Sequence, residues 1–246
     1  MALVTGGARR VGRAVALRLA GAGYDVALTY RQSESEARQV VEQIEQQGRR
    51  ALAIRVDLAE PDADAQVHSA LTARFDRLDA LINNAAIFSP RRFGEIDVAE
   101  YDRFQAVNAR APLMLMQRFA PMLARHFDER DPASTGRVVN FIDIHVLGEP
   151  FAGYAAYNAS KAALLELTST AAVELGPSIT VNAIAPGVVA WASDLDAEYR
   201  QRYLARTPLG RAGTPEDAAE AVRWLVCDAH YCTGQIIRVD GGRWLR

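Results

Sequence analysis

Apolar residues fall along this chain in two alternating patterns: short unbroken runs, and longer stretches with helical spacing. "ALVTGG" at 2–7 is an apolar run ending in glycines, which predicts a buried strand and a tight turn. Val11, Ala14, Val15, Leu19 and Ala22 then repeat at helical intervals until Gly21 and Gly23 stop the helix. "DVALTY" predicts a second strand. Ser33 followed by Glu36 has the form of a capping box, and behind it Ala37, Val40, Val41 and Ile44 give an amphipathic helix ended by Gly48. "RALAIRV" reads as a third strand, a helix follows around Val67 to Phe75, and "ALINNAA" is a fourth strand. A long helical stretch surrounds Tyr101 to His126, and the polar, breaker-rich "FDERDPASTG" predicts a loop. "RVVNFI", "TVNAIAPG" and "QIIRVDGG" supply three more strands, and Thr214-Pro215 opens a helix with threonine as cap and proline at the first helical position.

Strand and helix alternate throughout, and the strands are apolar on both faces. That combination predicts a parallel sheet covered on both sides. No repeat or linker interrupts it. The expectation is an α/β chain with one doubly wound Rossmann domain over 1–246, about seven parallel strands with helices on both faces.

Composition narrows the function classes. Half of the 246 residues are apolar, enough for a full core. The 28 basic residues balance 30 acidic ones, so no basic excess points to nucleic acid and no polybasic run to a membrane surface. Cys227 and Cys232 have no matching His/Cys pair elsewhere, so no metal site is expected and both read as free thiols of a reducing compartment. No apolar run reaches the ~18 residues of a membrane span, and the chain reads as strand and turn from its second residue, so no signal peptide is expected. The expectation is a cytoplasmic enzyme or binding protein.

In a doubly wound sheet, ligands bind at the carboxyl ends of the strands. The first strand ends in Thr5-Gly6-Gly7-Ala8-Arg9-Arg10-Val11-Gly12, where glycines admit a pyrophosphate to the backbone and the following helix offers free N–H groups. The stretch does not match G-x-G-x-x-G. The second strand ends at Tyr30, Arg31 and Ser33 with no carboxylate before Glu34; an arginine there clamps a 2′-phosphate, so NADPH is expected over NADH. Tyr157 and Lys161 are spaced to share a helix face, and a lysine charge beside a phenol favours phenolate. Tyr154 has no lysine at that distance.

The first turn resembles the T-G-x-x-x-G-x-G motif of the short-chain dehydrogenase/reductase family in Thr5, Gly6 and Gly12, with Arg10 in place of the middle glycine. In that respect it is similar to the pteridine reductases and the dihydromonapterin/dihydrofolate reductases, where the arginine faces the cofactor phosphates and the substrate. The resemblance runs from Ala2 to about Gly242 and implies further roles. Asp57 and Leu58 would contact adenine, and Asn84, Ala85 and Ala86, in "NNAA", would lie beside the cofactor with Val11. Asn108 would hold a proton-relaying water. Pro186 and Gly187 would contact the nicotinamide carboxamide, Tyr157 would be the proton donor, and Lys161 would serve both it and the cofactor.

The family serine lies thirteen residues before the tyrosine; here that position is Ile144, and Asp143 would take the serine's place through a one-residue longer loop. Two other readings stay open: that Asp143 satisfies loop N–H groups, or that His145 takes the polar role. Phe88 matches the family phenylalanine that stacks on the substrate ring, and Trp191 is a second candidate wall. Residues 188–206 resemble a substrate lid. By family analogy the assembly is a homotetramer, with Leu164, Leu167, Ala171 and Leu175 at an interface and Arg246 reaching a neighbouring pocket.

Asp143, Arg10 and Phe88 together give the expected function: NADPH-dependent reduction of a pterin or dihydrofolate substrate. The alternatives are a reductase of ketones such as 3-oxoacyl thioesters, and, in a different class, a non-catalytic NADP(H) sensor.

Overall fold

The computed structural model describes residues 1–148, 150–191 and 197–245. Part of the expected lid, and Arg246, lie outside them. Seven strands form one parallel sheet: β1 Ala2–Val4, β2 Val26–Tyr30, β3 Ala51–Arg55, β4 Ala80–Asn83, β5 Gly136–Phe141, β6 Ile179–Pro186 and β7 Ile236–Val239. Their order is β3-β2-β1-β4-β5-β6-β7, with every neighbour parallel. The expected doubly wound domain is therefore the observed one, and the strand order reverses between β1 and β4, where such folds bind ligands.

The helices are α1 Arg10–Gly21, α2 Glu34–Gln46, α3 Ala63–Thr72, α4 Val98–Gln105, α5 Ala111–Leu123, α6 Ala155–Glu174, α7 Ala197–Ala205 and α8 Pro215–Cys227. Successive strand side chains alternate between two cores. Val4, Leu28 and Ile82 pack with Leu19 of α1 and Val222 of α8. Leu3, Leu81 and Val138 pack with Leu71 of α3 and Phe119 of α5. Each such fully buried aliphatic side chain contributes about 1.5–3 kcal/mol, so both cores need the unbroken apolar runs seen in the sequence.

Local differences have physical causes. The stretch around Tyr101 to His126 is interrupted by a π turn over Ala106–Arg110, between α4 and α5. Such turns widen the helix and often mark functional sites. Ser33 caps nothing with its side chain, so the expected capping box is absent there. Thr214 forms one: its Oγ1 accepts from Asp217 N at 3.2 Å and Asp217 Oδ2 accepts from Thr214 N at 2.8 Å. Leu164 belongs to the core rather than an interface, and Leu167, Ala171 and Leu175 are half-buried; Val173 is the α6 side chain most open to solvent among the large apolar ones. Among the described residues no helix is long and apolar enough to cross a membrane, and no cluster of metal-ligating side chains occurs. Cys227 and Cys232 are free.

Candidate active site

The carboxyl ends of the strands surround a cleft of about 700 Å³. The turn after β1 forms part of its wall. Asn84 closes it by donating from Nδ2 to Thr5 O (2.8 Å) and Gly6 O (3.2 Å), while Thr5 Oγ1 accepts from the N–H groups of Asn84 and Ala85, each at 3.0 Å. Gly6 has φ +62°, and a Cβ on Gly12 would meet Gly6 O at 2.1 Å and Asn84 Nδ2 at 2.6 Å. The turn therefore tolerates no side chain at Gly12 and leaves bare backbone at the start of α1, where free N–H groups and the helix dipole favour a phosphate. These features fit a dinucleotide pyrophosphate.

Arg10 is the non-glycine residue with positive φ among the described residues, at 49°. Holding an L-residue there costs about 1–2 kcal/mol, which explains why the related motif has glycine. Its Nη2 donates to Ala190 O at 2.7 Å and Trp191 O at 3.3 Å, so the side chain crosses to the loop after β6.

Tyr30, Arg31, Ser33, Asp57, Leu58 and Ala86 line the cleft too, the first five at or just after the ends of β2 and β3, beside the turn after β1. Arg31 lies 3.9 Å and Arg103 3.0 Å from the same Asp57 oxygen. Burial works against ionisation of Asp57, but the Ala59 N–H and the two guanidinium groups outweigh it and hold its pKa below the usual range. Arg31 is thus half-exposed at the cleft rim, with only a long ion pair to give up.

The groups able to hold a proton lie toward β5 and α6. Asp143 follows β5 and caps a 3₁₀ turn over Ile144–Leu147, with Oδ1 accepting from His145 N at 2.9 Å. Its Oδ2 accepts from the Tyr157 hydroxyl at 2.7 Å. One carboxylate therefore serves both the loop and the phenol. Lys161 is buried one turn beyond Tyr157, with Nζ donating to Phe141 O at 2.5 Å and lying 5.9 Å from the Tyr157 ring centre. It is the only lysine in the chain.

The expected acidification of Tyr157 by Lys161 is not what this arrangement produces. Burial first, then the Asp143 charge and its hydrogen bond, raise the phenol well above its ordinary pKa. Burial in turn lowers Lys161 to about 8, against a smaller upward pull from Asp143. For both groups desolvation is the largest cause of the shift.

Thr5, Asn108 and Lys161 lie behind the cleft wall rather than on it. Asn108 sits in the π turn, where its side chain accepts from Ile87 N (2.9 Å) and donates to Ile87 O (3.1 Å) and Ser160 Oγ (3.0 Å). Its amide ties the loop after β4 to α6. Phe88 and Trp191 do line the cleft, as do Val11, Pro186 and Gly187. Phe88 stacks on Tyr154 at 4.5 Å, Tyr154 on Phe151 at 4.5 Å, and Phe151 on His145 at 4.9 Å. This aromatic wall escaped the sequence reading, although Phe151, Tyr154 and Tyr157 recur every three residues. Tyr203 of α7 was also missed; it lines the cleft and accepts from Val188 N at 2.9 Å.

Fold and site together define an oxidoreductase class: a dinucleotide cradle beside a phenol with its buried lysine. The chain belongs to the short-chain dehydrogenase/reductase family, and residues 6–243 match the family model described as enoyl-(acyl carrier protein) reductase. It is 35% identical over 249 residues to the 3-oxoacyl-(acyl-carrier-protein) reductase FabG of Staphylococcus epidermidis, covering 99% of this chain and 98% of the relative. Identity to the FabG of Staphylococcus aureus is 36%, with the same coverage. Among solved structures it is similar to the acetoin dehydrogenase YohF of Salmonella typhimurium (TM-score 0.88, 30% identity, 100% and 96% of the two chains). It is also similar to a blue fluorescent protein from a metagenomic library, solved in complex with NADPH (TM-score 0.87, 34% identity, 98% and 96%).

These relatives overturn the expected pterin or dihydrofolate reduction. Full-length similarity runs to 3-oxoacyl reductases and to an acetoin dehydrogenase, whose names describe carbonyl chemistry. The physical reason lies in the three residues that carried the expectation. Arg10 is turned to the carbonyls of Ala190 and Trp191, one face of Phe88 is taken by Tyr154, and Asp143 is engaged by His145 N and Tyr157. Each has a use inside the protein that requires no pterin.

Proposed function

We propose that the protein is an NADPH-dependent carbonyl reductase of small ketones, 3-oxoacyl thioesters and hydroxyketone precursors among them. The observation that carries this reading is the Tyr157 hydroxyl, proton-bearing and on the cleft wall, with Lys161 behind it. Bound NADPH supplies a hydride to the carbonyl carbon. The glycine turn of Gly6 to Gly12, with Thr5, Arg10 and Val11, is assigned to the pyrophosphate. Tyr30, Asp57, Leu58 and the segment Asn84 to Ala86 are assigned to the adenosine, and Pro186, Gly187 and Lys161 to the nicotinamide riboside. The exposed Val98 and Tyr101 of α4 and Val173 of α6 support a homo-oligomer, with a tetramer as the family expectation.

Tyr157 gives its proton to the oxygen that develops negative charge. Although raised, the phenol is a competent acid here, because an alkoxide is more basic than a buried phenolate. The phenolate left behind faces Asp143, and that unfavourable pairing drives its reprotonation. A charged Lys161 nearby keeps the phenolate accessible at all. Alcohol oxidation, which starts from the phenolate, is correspondingly suppressed.

Purified enzyme should therefore oxidise NADPH with an acetoacetyl thioester or 2,3-butanedione; no turnover with either, beside a functioning reductase control, rejects the reading and favours a sensor. In the reverse direction Asp143→Asn removes a charge that raises Tyr157, so the rising limb of the alcohol-oxidation profile, set by phenolate formation, should move to lower pH. An unmoved limb would dismiss Asp143 as an influence on the phenol.

Arg31 and Ser33 are assigned to the 2′-phosphate. Arg31→Ala should raise KM for NADPH by about 10–100-fold, the range for a lost charge-assisted pair, and leave KM for NADH nearly unchanged. Equal effects on the two cofactors would remove Arg31 from phosphate recognition.

A further inference from the structure

Tyr203 is buried, yet it lines the cleft, and its hydroxyl lies against Gly187 and Val188 of the same wall. Three contacts fix its ring. The Arg243 guanidinium lies over one face at 4.4 Å from the centroid, Trp191 meets the ring edge-on at 5.5 Å and 82°, and the hydroxyl oxygen accepts from Val188 N at 2.9 Å. Arg243 is itself buried, and its Nε and Nη1 have no hydrogen-bond partner. Its packing on Tyr203 is therefore the main use of that guanidinium, since the Asp240 carboxylate nearby in sequence accepts instead from Gly242 N and Trp244 N. A phenol donates one hydrogen bond and accepts up to two. The Val188 contact uses an acceptor site only, and no acceptor for the Tyr203 O–H occurs among the described residues. A rigidly held donor is thus left on the cleft wall that Gly187 and Val188 form.

We infer that Tyr203 is a second hydrogen-bond donor of the active site, holding a substrate oxygen other than the one Tyr157 protonates, so that preferred substrates carry a second oxygen close to the reacting carbonyl. The inference rests on the carbonyl-reductase reading. Tyr157 serves the reacting oxygen, which leaves Tyr203 for a neighbouring acceptor such as a thioester, keto, hydroxyl or ether oxygen. Burial raises the pKa of Tyr203 against the pull of Val188 N–H and Arg243, so the hydroxyl keeps its proton at neutral pH; the upward push from Asp143 is consistent with the two groups sharing one cleft. Arg243, over the ring face, acts as a positioning residue.

Methoxyacetone and 2-pentanone test this, because they differ by an ether oxygen in place of a methylene. With saturating NADPH, Tyr203→Phe should lower the ratio of kcat/KM for methoxyacetone over 2-pentanone about tenfold, the worth of one hydrogen bond. The Kd for NADPH, read by fluorescence, should change less than about twofold on the same argument, since the lost donor faces substrate. An unchanged ratio in an enzyme that still reduces both ketones overturns the inference alone. A tenfold loss of NADPH affinity with an unchanged ratio would send the hydroxyl to the cofactor and also overturns it. Wild-type enzyme that reduces neither ketone, nor the thioester and diketone above, overturns the carbonyl-reductase reading and this inference with it. If the Phe variant does not fold, Arg243→Gln should lower the same ratio about threefold by loosening the ring, and an unchanged ratio there counts against the role.

Discussion

Tyr157→Phe is expected to lower kcat for ketone reduction by about 10³-fold, within the 10²–10⁴ range for removing a positioned general acid. The ring would stay where it is, edge-on to Phe88 at 4.8 Å, so packing is preserved and only the proton is lost. Asp143 would keep His145 N as a donor, which limits the disturbance to the loop. Affinity for NADPH should therefore hold, and the defect should appear in kcat rather than in cofactor binding. Tyr154 offers no substitute. Its ring is sandwiched between Phe88 and Phe151, 6.4 Å from that of Tyr157, and no lysine stands four residues on. Steady-state rates with 2,3-butanedione, beside NADPH titration by fluorescence, check both halves. A kcat within tenfold of wild type would mean that another group or solvent protonates the product.

The parts of this architecture legible in the sequence are those fixed by local periodicity or by backbone sterics. Unbroken runs such as "ALVTG" and "RVVNF" announce strands covered on both faces, and that covering implies a parallel doubly wound sheet. Gly12 was readable because no side chain fits there, and Tyr157 with Lys161 because four residues bring side chains to one helix face. The π turn at Ala106–Arg110 was not readable, since one wider turn barely disturbs apolar spacing yet turns Asn108 inward to Ile87 and Ser160. The stack of Phe88, Tyr154, Phe151 and His145 depends on the path of two loops. The contact of Arg243 with Tyr203 joins the chain end to α7.

The substrate expectation went astray for the same kind of reason. Residue type at Arg10, Phe88 and Asp143 matched a pterin site, but whether a side chain faces a ligand or a neighbouring loop is decided by tertiary geometry. The shift of Tyr157 went astray likewise: spacing shows the lysine charge at i+4, and it shows neither the burial nor the direction of the Asp143 carboxylate.

Lys161→Met is expected to yield a protein that is more stable at neutral pH and nearly inactive. Burial lowers Lys161 from 10.5 in the unfolded chain to about 8 in the folded protein. At one pKa unit per 1.36 kcal/mol, keeping the ammonium inside costs about 3 kcal/mol at pH 7. Methionine has a similar length and no charge to desolvate. Its drawback is the Phe141 carbonyl, which loses its 2.5 Å donor, at a cost of about 1 kcal/mol. The net gain is about 2 kcal/mol, or roughly 5 °C in Tm for a chain of this size.

The sign with pH follows. Between about 8 and 10.5 the unfolded chain holds a proton at Lys161 that the folded chain has released, so the penalty is full below pH 8 and fades as pH rises through that window. Unfolding curves of wild type and variant at pH 7 and pH 9.5 should therefore converge at the higher pH. Because position 161 holds the only lysine, ¹⁵N-lysine labelling gives a single side-chain ammonium to titrate, and a midpoint near 10.5 would refute the buried-charge account. Wild-type reduction should decline as pH rises through about 8, where the folded protein's ammonium discharges and no longer stabilises the phenolate. The fold would be more stable with an apolar side chain at 161. That a lysine stands there instead, in a chain whose 27 other Lys and Arg residues are all arginine, supports the proposal that the charge is held for chemistry rather than for packing.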